Sequence, residues 1–76
     1  MITAREMVDI IDRQGIGSYV ETHPDRFNTL YTVSLTTDKK TAELMERLIV
    51  RSAASAKVYN TSATCVFEDA TIILLR

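Results

Sequence analysis

The segment with the most potential for chemistry is ETHPDR, residues 21–26, which holds the chain's one histidine and its one proline. On an extended strand, Glu21 and His23 would point to the same side, and Asp25 could turn to join them. Two carboxylates and an imidazole can bind a divalent metal ion or exchange protons with a substrate. A small-ligand or metal site at Glu21, His23 and Asp25 is therefore one hypothesis for the 21–26 loop.

The same segment also has the composition of a turn between two strands. Pro24 has the fixed φ that suits the second position of a type I turn, and Asp25 is frequent in such turns. The chain has no second histidine and only one cysteine to complete a typical metal site. We therefore interpret the segment as a turn and predict no metal and no cofactor. Because loops often carry contacts, His23, Asp25 and Arg26 remain candidate partner-binding residues.

Cys65 is the chain's single cysteine and the other candidate for covalent chemistry. A nucleophilic thiol needs a lowered pKa and a partner base, usually histidine. Cys65 alternates with Ala63 and Phe67 as successive core-facing residues of a strand would, so we predict a buried and unreactive thiol. Glycine-rich phosphate loops and the common hydrolase and metalloprotease motifs are also missing from the sequence. We predict that the protein is not an enzyme.

Three basic residues, Lys40, Arg47 and Arg51, fall on one stripe of a predicted second helix. Such a stripe can follow a phosphate backbone, so a nucleic-acid-binding accessory protein that uses this helix is an alternative hypothesis. Glu43 and Glu46 dilute the positive charge of the stripe, and Glu43 can pair with Arg47 on the next turn. The net charge of −1 gives little further support for binding phosphates. Nucleic acid is therefore the less favoured partner.

Val50 lies among the charged residues of this helix when the sequence is drawn on a helical wheel. The opposite, apolar side of the wheel contains Ala42, Leu44, Met45, Leu48, Ile49, Ser52 and Ala53. We predict that this apolar side faces the core and that Val50 projects outwards as a small apolar spot with a polar rim. Together with Lys40, Arg47 and Arg51, Val50 completes the set of candidate partner-binding residues.

The composition indicates an ordinary globular domain of 76 residues, 46% hydrophobic and 25% charged. A chain of this length forms one domain, so we predict a single compact domain over residues 1–76. One unpaired cysteine is unusual for a small secreted domain, and the charged stretch MITAREMVDI does not resemble a signal peptide. The longest apolar run, residues 72–75, is far shorter than a membrane span. These observations predict a cytoplasmic protein without a membrane partner.

The boundaries of the elements follow from local signals. Thr3 and Glu6 form a capping box at the start of a first helix, and Gly15 ends it in the left-handed conformation. A second helix is predicted from about Asp38 to Ala54. β-Branched and aromatic residues concentrate in four predicted strands, residues 17–22, 29–36, 57–67 and 71–75.

The predicted element order is α-β-β-α-β-β, which indicates an α+β fold built as a two-layer sandwich. We predict a mainly antiparallel four-stranded sheet with two helices on one face. Residues 71–75 are apolar on both sides, so this strand is expected inside the sheet beside residues 29–36. Asn60 and Ser62 interrupt the pattern of the third strand and can bulge it or split it.

No motif in the sequence identifies a reaction or a ligand, so the functional hypothesis comes from elimination. The leading hypothesis is a small cytoplasmic protein that binds another protein as an inhibitor, adaptor or regulatory subunit, of the kind that mobile elements and bacteria encode. A homodimer is a further hypothesis, because a small domain has little core and a sheet leaves two edge strands open. Two-fold dimers are also the commonest soluble assembly.

Overall fold

Five strands and two helices are seen in a computed structural model of the protein, which describes residues 2–22 and 29–76. The α+β class predicted from the sequence is confirmed. In chain order the elements are α1 (Ala4–Gln14), β1 (Gly17–Thr22), β2 (Leu30–Leu35), α2 (Lys39–Ser52), β3 (Ser55–Val58), β4 (Ser62–Val66) and β5 (Thr71–Leu75).

The strands form one mixed sheet in the order β1-β2-β5-β4-β3. β2 and β5 pair in parallel, and the other neighbouring pairs in this sheet are antiparallel. The prediction that residues 71–75 lie inside the sheet beside β2 is confirmed. Ile72 and Leu74, on the side of β5 that faces the helices, are fully buried in this position.

The prediction of a four-stranded sheet was wrong because residues 57–67 do not form one strand. The chain reverses after β3, and the Tyr59 amide donates a 2.7 Å hydrogen bond to the Ser62 carbonyl. Asn60, within this turn, readily accepts unusual backbone dihedral angles. β3 therefore folds back on β4 as an antiparallel hairpin and adds a fifth strand at the sheet edge.

The arrangement also differs from the prediction at the centre of the sheet, where β2 and β5 run in the same direction. The chain leaves the end of β2, forms α2 and the β3–β4 hairpin, and enters β5 from the end at which β2 began. Parallel neighbours need such a crossover. The sequence predicted most of the elements on this path but carried no signal for the direction of β5.

Both helices pack against the same face of the sheet and share one core with it. α1 lies over β1 and β2, and α2 lies over β4. The strand residues in this core alternate along β2, β4 and β5, as the pleat requires. They are Tyr31, Val33, Ala63, Cys65, Ile72 and Leu74. The two layers predicted from the sequence are therefore present, with both helices on one side.

The first helix begins as its sequence predicts. The Thr3 hydroxyl accepts a hydrogen bond from the Glu6 amide at 3.1 Å, and the Glu6 carboxylate accepts one from the Thr3 amide at 3.0 Å. Asp69, in the turn between β4 and β5, adds a contact that the sequence did not reveal. Its carboxylate accepts hydrogen bonds from the amides of Ala4 and Arg5 at 2.8 and 3.1 Å. The positive end of α1 is thus held by two acidic side chains.

Asp69→Ala is expected to lower the free energy of unfolding by about 2 kcal/mol, since two helix amides lose a charged acceptor. Thr3→Ala is expected to lower it by about 1 kcal/mol, the usual loss for a removed N-cap. Glu68→Ala is the control, because Glu68 is an exposed acid in the same turn. Its loss should stay below about 0.5 kcal/mol. Urea denaturation measures all three, and equal midpoints for the Asp69 and Glu68 variants would contradict the tie between α1 and this turn.

Candidate functional site

The predicted 21–26 loop falls only partly within the described residues. Glu21 lies near the end of β1, whereas His23, Asp25 and Arg26 lie outside the described residues. Their role as partner contacts stays a prediction. Glu21, one of the three proposed metal ligands, is described, and its carboxylate already has two partners within the protein.

Glu21 is held by a phenol and a guanidinium. The Tyr31 hydroxyl donates a 2.8 Å hydrogen bond to the Glu21 carboxylate, and Arg5 Nη1 lies 3.4 Å from the same oxygen. Tyr31 also packs edge-to-face on Tyr19, with 5.6 Å between the ring centroids. Burial, the largest cause, raises the pKa of Tyr31, so the phenol keeps its proton at neutral pH and remains a donor. Glu21 thus links α1, β1 and β2.

A metal site finds no support in the part of the chain that the structure describes. Within residues 2–22 and 29–76, no three Asp, Glu, His or Cys side chains lie close enough to hold one ion. A surface hollow of about 470 Å³ follows one side of α1 and is lined by Ile2, Glu6, Asp9, Ile10, Asp12 and Arg13. It is open and lined mainly by charged side chains, unlike the enclosed apolar pockets that bind small molecules.

Cys65 is buried and free, as predicted. Burial, with a smaller contribution from the Glu46 carboxylate, raises the pKa of the thiol above its ordinary value. A thiol with a raised pKa is a poor nucleophile, because the reactive species is the thiolate. Cys65 therefore contributes to packing in the core.

The side of α2 that points away from the sheet carries the three predicted cations. Met45 and Ile49 are the buried residues of the helix, and Lys40, Arg47 and Arg51 lie exposed on the opposite side. Their spacing keeps them in line along the helix, because every interval between them is close to a whole number of turns. The structure therefore brings these three site residues together.

Two leucines lie among these cations. Leu44 is 54% exposed and Leu48 is 47% exposed, although both were predicted to face the core. A single exposed leucine is ordinary, but two on adjacent turns form a continuous apolar strip. We call the combined surface the α2 outer face, and its residues are Lys40, Leu44, Arg47, Leu48 and Arg51.

The prediction that Val50 projects outwards was wrong. Val50 is half-buried and packs against the core. The helix is rotated about its axis relative to the predicted orientation, which turns Val50 towards the sheet and both exposed leucines away from it. Ala53 is half-buried and also packs against the core, and a small side chain at the contact lets the helix axis approach the sheet.

The same rotation turns Glu46 away from the three cations. Glu46 is one of the two acids that were expected to offset their positive charge. Glu46 is half-buried, and its carboxylate lies 3.0 Å from Arg76 Nε. Glu43 stays exposed at the flank of the helix, where it lines a shallow hollow together with Lys39 and Glu46. Among residues 2–22 and 29–76, the cations of the α2 outer face take part in no ion pair. Their charge is therefore open to a binding partner.

Leu44 and Leu48 were missed as surface residues because α2 has apolar residues around more than half of its circumference. A helix that contacts a sheet on one side can bury only part of such a circumference. The width of the apolar arc was therefore a signal that some of these side chains would stay exposed. It did not show which ones.

The fold and the α2 outer face together define a class, a small α+β domain that exposes one basic and apolar helix face. Both helices of the described chain, with 11 and 14 residues, are too short to cross a membrane. Comparison with protein-family models, curated proteins and solved structures finds no significant match. Function is therefore inferred from the geometry of this helix face.

Proposed function

We propose that the protein binds another protein through the α2 outer face, and that the partner presents an acidic and apolar surface. The observation that carries the proposal is the exposure of Leu44 and Leu48 among cations that have no carboxylate partner in the described chain. Such a protein acts as an inhibitor, an adaptor or a regulatory subunit. The presence of a single cysteine supports a reducing compartment such as the cytoplasm, because small secreted domains are usually rich in disulfides.

The leucines supply the apolar part of the interaction. Leu44 and Leu48 lie one turn apart, so they form neighbouring contacts along the helix. Complete burial of a leucine side chain is worth about 1.5–3 kcal/mol, and about half of each leucine is still exposed. The pair therefore favours a partner with a matching apolar groove or a facing helix.

The cations define the charge of the partner. An arginine such as Arg47 or Arg51 forms paired hydrogen bonds with a carboxylate, which adds geometric selectivity to the attraction. Acidic groups of a partner meet one exposed acid close to these cations, Glu43 at the flank of the helix. An amphipathic helix with Asp or Glu beside its apolar stripe satisfies both the leucines and the cations.

Nucleic acid is the second candidate, and the inward position of Glu46 favours it. With Glu46 engaged by Arg76, the cations of the α2 outer face are less diluted than the sequence indicated. Contacts to phosphate need no leucines, however, and the two leucines would stay in water beside a nucleic-acid backbone. A protein partner therefore accounts for more of the surface.

Site-specific photo-crosslinking tests the proposed partner. A benzoylphenylalanine probe introduced at Leu44 is expected to form an adduct with a protein, and the adduct should survive nuclease treatment. The same probe at Val58, which is 51% exposed on β3, is expected to form none. The identified partner is then purified, and its affinity for the 76-residue chain is measured by calorimetry.

Arg47→Glu combined with Arg51→Glu is expected to weaken this binding at least about tenfold, because charge reversal replaces attraction by repulsion. Leu44→Ser combined with Leu48→Ser is expected to weaken it by a similar factor. Arg13→Glu is the matched control, since Arg13 is an exposed arginine on α1. Unchanged affinity in both double variants would refute the proposal, and an adduct destroyed by nuclease would favour nucleic acid instead.

A further inference from the structure

Within residues 2–22 and 29–76, no helix or strand covers the face of the sheet opposite the helices. Every second strand residue points outwards on this side, and the burial of the strand residues alternates accordingly. We call this surface the outer sheet face. Its residues are Ser18, Val20, Thr22, Leu30, Thr32, Ser34, Ser55, Lys57, Ser62, Thr64, Val66, Thr71, Ile73 and Leu75.

The outer sheet face is almost without charge. Charged residues make up 25% of the chain, yet Lys57 is the one charged residue among those of this face. The others are serine, threonine, valine, isoleucine and leucine. A sheet face in contact with water is normally more polar, and depletion of charged residues distinguishes the centre of a protein interface from the remaining surface.

Aliphatic and hydroxyl side chains alternate along the central row of this face, which ends at Lys57. The central row, from β1 to β3, reads Val20, Thr32, Ile73, Thr64 and Lys57. Val20, at one end of the row, is 65% exposed. The face thus combines exposed apolar groups with hydroxyl groups that separate them.

We propose that a second copy of the chain packs on the outer sheet face and forms a two-fold dimer. A hydroxyl group both donates and accepts hydrogen bonds, so a surface of hydroxyl and aliphatic groups is complementary to itself. A charged partner would find only Lys57 to pair with on this face. The dimer leaves the α2 outer face free, because that face belongs to the other layer, and it is independent of the proposed function.

The position of Lys57 fits this packing. With the two-fold axis along the central strand β5, Ile73 meets its counterpart, and β3 of one copy lies over β1 of the other. Lys57 then faces the second copy's Val20. The two Lys57 side chains are separated by about four strand spacings, roughly 19 Å, which exceeds the screening length of about 8 Å at physiological salt. The single charge therefore adds little repulsion to the dimer.

The size of the outer sheet face sets the strength of the dimer. Strand spacing and rise give a face of roughly 24 by 17 Å. Two such faces together bury about 800 Å², which is below the about 1,000 Å² of stable interfaces and within the range of weak, transient ones. The dimer is therefore expected to dissociate on dilution through the micromolar range.

Light scattering across a concentration series of the full chain tests the dimer. The mass is expected to rise from 8.6 kDa towards twice that value as the concentration increases. Thr64→Arg places a charge beside the centre of the face and should hold the chain at the monomer mass. Leu44→Arg adds the same charge to the α2 outer face and should dimerise like the unmodified chain. Circular dichroism shows whether both variants are folded.

A chemical cross-link gives a second measurement. In the Val20→Cys variant, a short thiol–amine reagent is expected to join the new thiol to the second copy's Lys57. Adding Lys57→Gln to this variant should abolish the product. Within one copy the two positions lie on opposite edge strands of the sheet, too far apart for the reagent. Peptide mapping identifies the linkage.

A monomer at every concentration, with no cross-linked dimer, overturns the proposal. A dimer that Leu44→Arg dissociates and Thr64→Arg leaves intact also overturns it, because the α2 outer face would then be the interface. If Thr64→Arg does not fold, the cross-link between positions 20 and 57 decides between the two surfaces.

Discussion

Ile49→Ala is expected to lower the free energy of unfolding by about 3 kcal/mol, and Leu48→Ala by less than about 1 kcal/mol. The two residues are neighbours on α2, but Ile49 is fully buried and Leu48 is 47% exposed. Truncating Ile49 loses the transfer free energy of its side chain and leaves a cavity against the sheet. Truncating Leu48 opens no cavity, and alanine is the better helix former.

Urea denaturation of the two variants measures the difference. Val50→Ala is an intermediate reference because Val50 is half-buried, and its loss should fall between the other two. Equal losses for Ile49→Ala and Leu48→Ala would mean that Leu48 belongs to the core. The α2 outer face would then lose its apolar strip, and a protein partner would no longer be favoured over nucleic acid.

Gly17→Ala is expected to lower the free energy of unfolding by about 3 kcal/mol. A Cβ added at Gly17 would lie 2.5 Å from the Ser34 carbonyl oxygen and 3.1 Å from Ile11 Cγ2. Because the carbonyl belongs to the backbone of β2, relief of the contact requires β1 to move away from β2 and α1. The absence of a side chain at Gly17 therefore permits the close packing of these three elements.

Gly15→Ala is the companion variant, with an expected loss of about 1 kcal/mol. A Cβ at Gly15 would meet nothing within 4 Å, but its φ of 65° lies in the left-handed region, which favours glycine. Thermal unfolding compares the two variants. A larger loss at Gly15 than at Gly17 would contradict the close approach of β1 to β2.

The first helix could be predicted because three local signals coincide. A capping box, an apolar stripe and a terminal glycine all lie within residues 3–15, and each acts between residues that are close in sequence. The buried position of Cys65 likewise follows from short-range alternation along a strand. The Asp69 contact could not be predicted, since it reaches Ala4 across 65 residues of chain.

The arrangement of the sheet depends on pairing between distant segments. The pattern of residues 57–67 fits a bulged strand as well as a hairpin. Which of the two forms depends on whether β3 pairs with β4. The direction of β5 depends on the path of the whole connection from β2. Hydrophobic patterns indicate which residues are buried, but strand partners and directions are set by tertiary packing.

Three of the five residues of the α2 outer face were predicted from the sequence. The alignment of Lys40, Arg47 and Arg51 needs only the period of a helix. The exposure of Leu44 and Leu48 depends on the rotation of α2 against the sheet, which a wide apolar arc leaves open. The predicted contacts of the 21–26 loop fall largely outside the described residues and stay predictions.

The parallel pairing of β2 and β5 affects how the chain folds during its synthesis. β5 is the middle strand of the sheet, yet it follows the other four strands in the chain and leaves the ribosome after them. Until it emerges, no strand pairs with both β2 on one side and the β3–β4 hairpin on the other. Joining them closes a long loop, and the entropy of that closure slows the step. In the meantime the nascent chain exposes the apolar sides of two incomplete sheets, which are surfaces that chaperones bind.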